Sequence, residues 1–210
     1  MDNYKIQANQ AREIFLTYDQ EALIQKHRLE SDETWLYTSL FEIPYRIRRT
    51  DGTIRRKENG LWVDGGSFEE TMTLLDLLCD SRRDRFVTGR LKNMADFGLM
   101  FHQRLLEKDP WAQRFQDRLP DFQRACEALG ARPMKLGDVA YGFRIFEELT
   151  VVVQLWLGDE EFPPSLRFLW DENALMYLRY ETMYFAKGLL LRHIQSRMNR
   201  AESPQTLRRG

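Results

Sequence analysis

A short polar loop, residues 158–165, holds the side chains with the clearest chemical potential in this sequence. It reads Gly-Asp-Glu-Glu-Phe-Pro-Pro-Ser, so consecutive carboxylates precede an aromatic ring between two apolar stretches. Carboxylates gathered in this way can hold a hard cation or carry out general acid–base chemistry. The candidate carboxylates are Asp159, Glu160, Glu161 and Asp171. A solvated turn is the alternative interpretation, because the spacing matches neither a calcium loop nor a paired-carboxylate motif.

The same loop also suggests a site for an organic ligand. Phe162 lies between two apolar strands and must be buried or used, so we expect it to lean over a pocket between sheet and helices. Trp156 lies on the face of its strand opposite Leu155 and Leu157. A flat ring in that position can line a ligand pocket, although packing in the core is the alternative.

Histidine offers little catalytic signal. His27, His102 and His193 are far apart, and each lacks a second ligand one helical turn away. His102, beside Phe101, is the histidine expected to act as an axial ligand or acid–base group, with a structural role as the alternative. Phosphate-loop, dinucleotide, nucleophile-elbow and Cys-x-x-Cys motifs are absent from the sequence, and it predicts no metal site.

Charge is balanced over the chain but not locally. The 210 residues carry 31 Lys and Arg against 32 Asp and Glu, which gives a net charge of -1 and no general argument for nucleic acid or membrane binding. Residues 147–181 hold eight carboxylates and two arginines, whereas residues 42–57 hold six cations and two carboxylates. The basic segment, which includes Arg46 and Arg48, could contact phosphate or simply form the charged outer face of a strand.

Hydrophobic periodicity predicts the elements that position these residues. A helix with a break near Thr17 or Asp19 fills the first thirty residues. Alternation from Trp35 to Ile47, with Trp35, Tyr37, Tyr45 and Ile47 on one face, predicts a strand that continues through a turn at Asp51-Gly52 into residues 53–57. Pro44 places that strand at an edge or at a bulge.

Further along the chain, helices are predicted over residues 68–80, 91–107 and 111–129, with a kink or break at Pro120. Period-two stretches at residues 139–146, 149–157 and 165–170 then predict an antiparallel three-stranded meander, followed by a final helix from about Tyr180. Helices and strands are segregated. We therefore expect a single α+β domain over residues 1–200, with a mainly antiparallel sheet packed by helices, and a disordered tail over residues 201–210.

Four segments resemble an uncharacterised prokaryotic family, domain of unknown function 3786. They lie at residues 137–141, 155–165, 169–171 and 177–181, and the second, Leu-Trp-Leu-Gly-Asp-Glu-Glu-Phe-Pro-Pro-Ser, is the most specific. The likeness extends from the first helix to about His193. It implies an intracellular protein, mostly of anaerobes, with no agreed activity. Some members are fused to cysteine-rich iron–sulfur segments, which this chain lacks.

These observations predict a protein that binds a small ligand or cofactor, of unknown identity, in a pocket near residues 158–165. Two alternatives stay open: a carboxylate-based, metal-dependent hydrolase or transferase, and a protein interaction module. Cys79 and Cys126 are too few for a disulfide scaffold, and the N-terminus lacks the pattern of a signal peptide. We therefore expect a cytoplasmic protein without a membrane span.

Overall fold

The computed structural model describes residues 3–97 and 110–201. The helices in this part of the chain are α1 (Asn3–Thr17), α2 (Gln20–His27), α3 (Phe68–Cys79), α4 (Trp111–Asp117), α5 (Leu119–Ala128) and α6 (Tyr180–Ala201). The strands are β1 (Glu30–Ser31), β2 (Trp35–Leu40), β3 (Ile43–Arg48), β4 (Ile54–Glu58), β5 (Leu61–Asp64), β6 (Leu91–Asn93), β7 (Arg132–Met134), β8 (Val139–Phe146), β9 (Leu149–Trp156) and β10 (Ser165–Asp171). The fold is α+β, as the sequence predicts.

The first sheet is an antiparallel meander in the order β1-β2-β3-β4-β5. The predicted strand from Trp35 to Ile47 is in fact a hairpin, because Phe41 and Glu42 both adopt positive φ, +53° and +61°, in a two-residue turn. Glycine and asparagine are the usual residues at such positions, so the pattern gave no turn signal. Trp35 therefore pairs with Arg48, and the prediction that it shares a face with Ile47 is wrong.

The second sheet has the order β6-β10-β9-β8-β7, with antiparallel pairing throughout. It contains the predicted meander, in which Tyr141 pairs with Val153 and Val153 with Phe168. Val151, Val153 and Leu155 are buried, as the period of two predicts. The meander is thus confirmed.

The two sheets and the helices share one core. The cluster of buried apolar residues runs from Leu36 and Ile47 of the first sheet, through Leu74 and Leu78 of α3, to the second sheet. Helix α6 packs against α3 and α5, and α4 packs against β9 and β10. The backbone N–H of Phe41 donates to the carbonyl of Ile145 at 3.2 Å, which connects the two sheets directly. This arrangement leaves a cleft where the sheet ends meet.

Two local predictions change, and the break predicted at Pro120 is confirmed. Residues 91–93 form β6, paired with β10, and Met94–Phe97 is a 3₁₀ turn, so the helix predicted from residue 91 does not begin there; residues 98–107 lie outside the described part. Pro120 is in the first turn of α5, where its missing N–H costs nothing, and the stretch is two helices. Strand β3, which holds Pro44, is the third of five rather than an edge, but Pro44 lies beyond the residues that pair with β4.

Within the described residues, none of the helices combines the length and apolar character needed to cross a bilayer.

Candidate functional site

The acidic loop at residues 158–165 is held by its own backbone. The Asp159 carboxylate accepts hydrogen bonds from the backbone N–H groups of Glu161 at 2.9 Å and Phe162 at 2.8 Å, and these bonds lower the pKa of Asp159. Glu160 and Glu161 are exposed, and the Phe162 ring is 68% exposed. The structure therefore presents this loop as a turn with its aromatic ring in solvent.

Asp171 is remote from that loop. It ends β10, which begins at Ser165 after the loop, and six residues of extended strand separate the two by about 20 Å. Asp171 is buried and accepts from the backbone N–H groups of Thr88 at 2.9 Å and Gly89 at 2.7 Å. Its carboxylate thereby fixes the segment that precedes β6, and the structure does not bring it together with Asp159.

Trp156 borders the acidic loop, because it pairs with Ser165. Trp156 is 40% exposed at the end of β9 and packs beside Gly137, where an added Cβ would stand 3.1 Å from the indole ring. His102 lies outside the described residues. The role of both residues in ligand binding stays a prediction.

A different part of the molecule gathers polar side chains around cavities. Three cavities, of about 450, 840 and 430 Å³, all include Glu147 in their lining. The first and third share His27 and Arg28, and the first and second share Arg144. Because the lining is common, these cavities form one irregular depression, which we call the Glu147 cleft.

Glu147 occupies the two-residue turn between β8 and β9 with φ +47°. This turn aims its carboxylate at the C-terminal end of α2. The Arg85 guanidinium donates to both carboxylate oxygens, from Nε at 2.8 Å and Nη2 at 2.5 Å, and His27 Nδ1 lies 2.8 Å from Oε1. Such charge-assisted bonds are about twice as strong as neutral ones. The cleft therefore has a rigid floor.

The electrostatics of the floor follow from these bonds. Burial by itself would raise the pKa of Glu147, but the hydrogen bonds and charges of His27 and Arg85 outweigh it, so the pKa is lowered. The His27 side chain is fully buried, and its second nitrogen, Nε2, lies 2.8 Å from the Leu78 carbonyl oxygen. Nδ1 also lies 3.1 Å from Arg85 Nη2, so the His27 ring contacts both members of the Arg85–Glu147 ion pair.

The order Ser81, His27, Glu147 superficially matches the nucleophile, base and carboxylate of a hydrolase. Ser81 Oγ is 3.5 Å from His27 Nε2, however, which is farther than the Leu78 carbonyl oxygen. Ser81 and His27 are both buried, so a substrate has no access to the hydroxyl. We therefore infer that these hydrogen bonds hold the Glu147 carboxylate and the Arg85 guanidinium in place and take part in no catalytic step.

The cleft carries an excess of positive charge. Its 430 Å³ cavity is lined by Lys26, His27, Arg28, Arg83, Arg85, Glu147 and Glu148. Glu147 is neutralised by Arg85, and Glu148 accepts from the Tyr177 hydroxyl. Lys26 donates to the carbonyls of Leu78 and Cys79 at the end of α3. Within the described residues, no hydrogen bond or ion pair involves the side chains of Arg28 and Arg83.

Backbone strain concentrates around the cleft and its neighbouring cavity. Within the described residues, the non-glycine residues with positive φ are Arg28, Phe41, Glu42, Asn59 and Glu147. Each of them lines the Glu147 cleft or an adjoining cavity of about 250 Å³. A non-glycine residue held at positive φ costs free energy, and such residues often cluster at functional sites. Their positions therefore also favour a site in this part of the surface.

Sequence reasoning missed this site because it joins residues that are distant in the chain. His27 looked isolated, and Glu147 was one of the eight carboxylates of residues 147–181. One signal was available: a glutamate pair in a two-residue turn, where asparagine or glycine is usual. The described residues contain no group of three or more His, Cys, Asp or Glu side chains that could hold a metal ion.

Comparison with known proteins agrees with the resemblance noted in the sequence. The model of the family described as Domain of unknown function (DUF3786) matches residues 19–193, which include every element that forms the Glu147 cleft. No curated protein and no solved structure matches the chain. Because the match spans most of the 210 residues, the chain belongs to the family Domain of unknown function (DUF3786).

Proposed function

We propose that the protein binds a small organic anion in the Glu147 cleft. The observation that carries this proposal is the pair Arg28 and Arg83. Both side chains are exposed, both line the same 430 Å³ cavity, and neither has a partner within the described residues. Guanidinium groups bind carboxylate and phosphate through paired hydrogen bonds, so two of them at one cavity favour an anion.

Lys26 supports the same conclusion. Its pKa is lowered first by burial and then by the positive charge of Arg85, with a smaller effect of Arg83 in the same direction. The cavity thus lies in a field of cations that the neighbouring carboxylates do not fully compensate. An anion bound there would reduce the repulsion between these groups.

The adjoining part of the cleft suggests the rest of the ligand. The 450 Å³ cavity shares His27, Arg28 and Glu147 with the basic cavity, and Tyr37, Trp62 and Phe146 contribute to its lining. Aromatic walls beside a few fixed polar groups suit a flat organic group. The ligand class is therefore a flat molecule with a phosphate or carboxylate substituent.

The hypothesis of a ligand beside residues 158–165 depends on the sequence of that loop alone, because other residues line the three cavities of the Glu147 cleft. A loss of organic-ligand affinity in Phe162→Ala is still the test of that location. A hydrolase that used Asp171 together with Asp159 would need two carboxylates that lie at opposite ends of β10. No observation in the structure favours that alternative.

Isothermal titration calorimetry with inorganic phosphate, phenyl phosphate and adenosine monophosphate tests the proposal. We expect the two aromatic phosphates to bind more tightly than inorganic phosphate, because the aromatic walls contact the ring. The variant Arg28→Ala/Arg83→Ala should weaken binding at least about tenfold, since a hydrogen bond to a charged group is worth about 1.5–3 kcal/mol.

Lys92→Ala/Arg167→Ala is the matched control, because it removes two exposed cations from the second sheet, away from the cleft. This control should bind like the parent protein. Equal affinity in the parent and the Arg28→Ala/Arg83→Ala variant would contradict the proposal. So would the absence of binding tighter than about 1 mM, or about −4 kcal/mol, for all three compounds.

A further inference from the structure

Within the part of the chain that the structure describes, one face of the first sheet lies outside the hydrophobic core. Directly paired residues share a face, so Trp35 with Arg48 and Tyr37 with Arg46 lie on one side, and Leu36 with Ile47 on the other. The side that contains Leu36 and Ile47 belongs to the core. On the side outside the core none of the aromatic or basic side chains is buried; they are Trp35, Tyr37, Arg46, Arg48, Arg55, Lys57 and Trp62. We call this surface the aromatic face.

The aromatic face is concave. Tyr37 is on β2 and Trp62 on β5, three strands away, which corresponds to about 14 Å in a flat sheet. Their ring centroids are nevertheless only 6.3 Å apart. The side chains of the outer strands therefore converge across the face, and Tyr37, Lys57 and Trp62 line the 450 Å³ cavity, so we call this part of the face the trough.

Cations and aromatic rings alternate in this trough. The Arg46 guanidinium lies 4.1 Å from the Trp35 ring and 4.6 Å from the Trp62 ring. Arg48 lies 5.3 Å from the Trp35 ring, and the Lys57 ammonium 5.8 Å from the Trp62 ring. These cation–π contacts hold large apolar rings on a solvent-facing surface. Arg46 Nε has no hydrogen-bond partner in the structure, although it is buried between the rings.

Three cations of the trough are left without a salt bridge. Arg48 pairs with Asp51, but within the described residues no carboxylate lies within salt-bridge distance of Arg46, Arg55 or Lys57. The carboxylates among the paired residues of this face are Glu30, opposite Tyr37, and Asp64, opposite Arg55, so four cations lie with two carboxylates. Asp32 lies at the edge of the face, where its carboxylate accepts from the Tyr37 hydroxyl.

We propose that the aromatic face binds single-stranded nucleic acid. A trough that combines cations without salt bridges and half-buried aromatic rings provides both interactions that a single strand needs: phosphate contacts along the backbone and ring faces on which bases stack. A duplex offers its phosphates but keeps its bases stacked internally, so it can use only half of this surface. Arg55 and Lys57 would contact phosphates, and Tyr37 and Trp62 would contact bases. Tyr37, Lys57 and Trp62 also line the 450 Å³ cavity of the Glu147 cleft, so the two proposed sites adjoin, whereas Arg46 and Arg55 lie outside that lining and Arg28 and Arg83 lie outside the aromatic face.

Fluorescence anisotropy with labelled poly(U) and poly(dT) of about 16 nucleotides, a length that one small domain can cover, tests the inference on the full chain. The variant Arg55→Ala/Lys57→Ala should weaken binding about tenfold at low salt. It should also reduce the slope of log K against log salt by about 1.4, which is 0.7 for each lost phosphate contact. Trp62→Leu keeps an apolar side chain but removes the stacking surface, and should weaken binding at least about fivefold.

Two controls make the result specific. Lys92→Ala/Arg167→Ala changes the net charge by the same amount on the other sheet, and Arg28→Ala/Arg83→Ala disables the proposed anion site. Both should retain oligonucleotide binding within about twofold. Absence of an anisotropy change at low salt would overturn the inference. So would equal affinity for a duplex, or equal weakening in the Lys92→Ala/Arg167→Ala control, because either result would indicate attraction without a defined site.

Discussion

Replacing Glu147 by glutamine tests whether the floor of the cleft is held by charge. The substitution keeps the shape and the backbone conformation of the turn but removes the charge that three close contacts use: two from Arg85 and one from His27. The Arg85 side chain is 8% exposed and that of His27 is 0% exposed, so the Arg85 cation and the His27 ring would both lose their charged partner with little access to water. Removing one partner from such a buried network costs about 3–5 kcal/mol.

This loss is a large part of the 5–15 kcal/mol that stabilises a typical domain. Urea unfolding at neutral pH, followed by tryptophan fluorescence, should therefore show a clear decrease in the midpoint for Glu147→Gln. Glu160→Gln, on the exposed loop, is the matched control and should change stability by less than about 0.5 kcal/mol. A decrease below about 1 kcal/mol for Glu147→Gln would refute the argument that the network is buried and charge-dependent.

The same variant has a pH signature. The pKa of Glu147 is lowered in the folded state, so its contribution is complete above the unfolded value of about 4.3 and disappears as the pH falls through the folded value. The difference between the parent protein and Glu147→Gln should therefore shrink below about pH 4. A difference that stays constant down to pH 3 or so would mean that the carboxylate is not the group responsible.

Two further predictions concern buried groups and the acidic loop. Burial and Asp80 raise the pKa of Asp76 to about 6, so its contribution to the free energy of unfolding falls as the pH rises from about 4 to 6. Burial lowers the pKa of His193 to about 4, so the contribution of His193 rises over the same interval. Each substitution removes one of these opposing contributions and leaves the other. Between about pH 4.5 and 6.5, the free energy of unfolding in urea should therefore rise with pH by about 2–3 kcal/mol in Asp76→Asn and fall by about the same amount in His193→Gln. Parallel pH profiles of stability for the two variants would contradict this. Gly158→Ala should lower stability by about 1–3 kcal/mol in thermal unfolding, because the new Cβ would stand 2.7 Å from the Pro164 nitrogen. The control Gly188→Ala in α6 has room for the new Cβ and should stabilise the protein by up to about 1 kcal/mol. Equal effects of the two substitutions would show that the loop can adjust.

The sequence predicted those parts of the fold in which local pattern and long-range packing agree. Val151, Val153 and Leu155 alternate strictly, and their neighbouring strands follow within a few residues, so the meander could be predicted from residue order. The β2–β3 hairpin could not be predicted, because its turn uses Phe41 and Glu42 in a conformation that their residue types disfavour. Tertiary packing overrides local preference there, as the backbone bond from Phe41 to Ile145 indicates.

The Glu147 cleft was beyond sequence reasoning for a related reason. Its floor joins His27, Arg85 and Glu147, which are separated by 58 to 120 positions, and no spacing rule connects them. The acidic loop was predicted as a site because its carboxylates are adjacent in sequence. Adjacent side chains in a turn can equally well point into solvent, as Glu160, Glu161 and Phe162 do. The basic segment of the aromatic face was visible in the sequence, but strand pairing is what places Trp35, Tyr37 and Trp62 beside its cations, and the predicted single strand did not include that pairing.

Anomalous diffraction from crystals of the protein grown with tungstate, a phosphate-shaped anion that scatters strongly, tests the central claim most directly. If the Glu147 cleft is an anion site, the anomalous peak will lie within hydrogen-bond distance of the guanidinium groups of Arg28 and Arg83, in the cavity that Lys26 also lines. The peak should disappear in the Arg28→Ala/Arg83→Ala variant. Tungstate bound elsewhere with none between these two arginines, in crystals where no neighbouring molecule covers them, would contradict the claim.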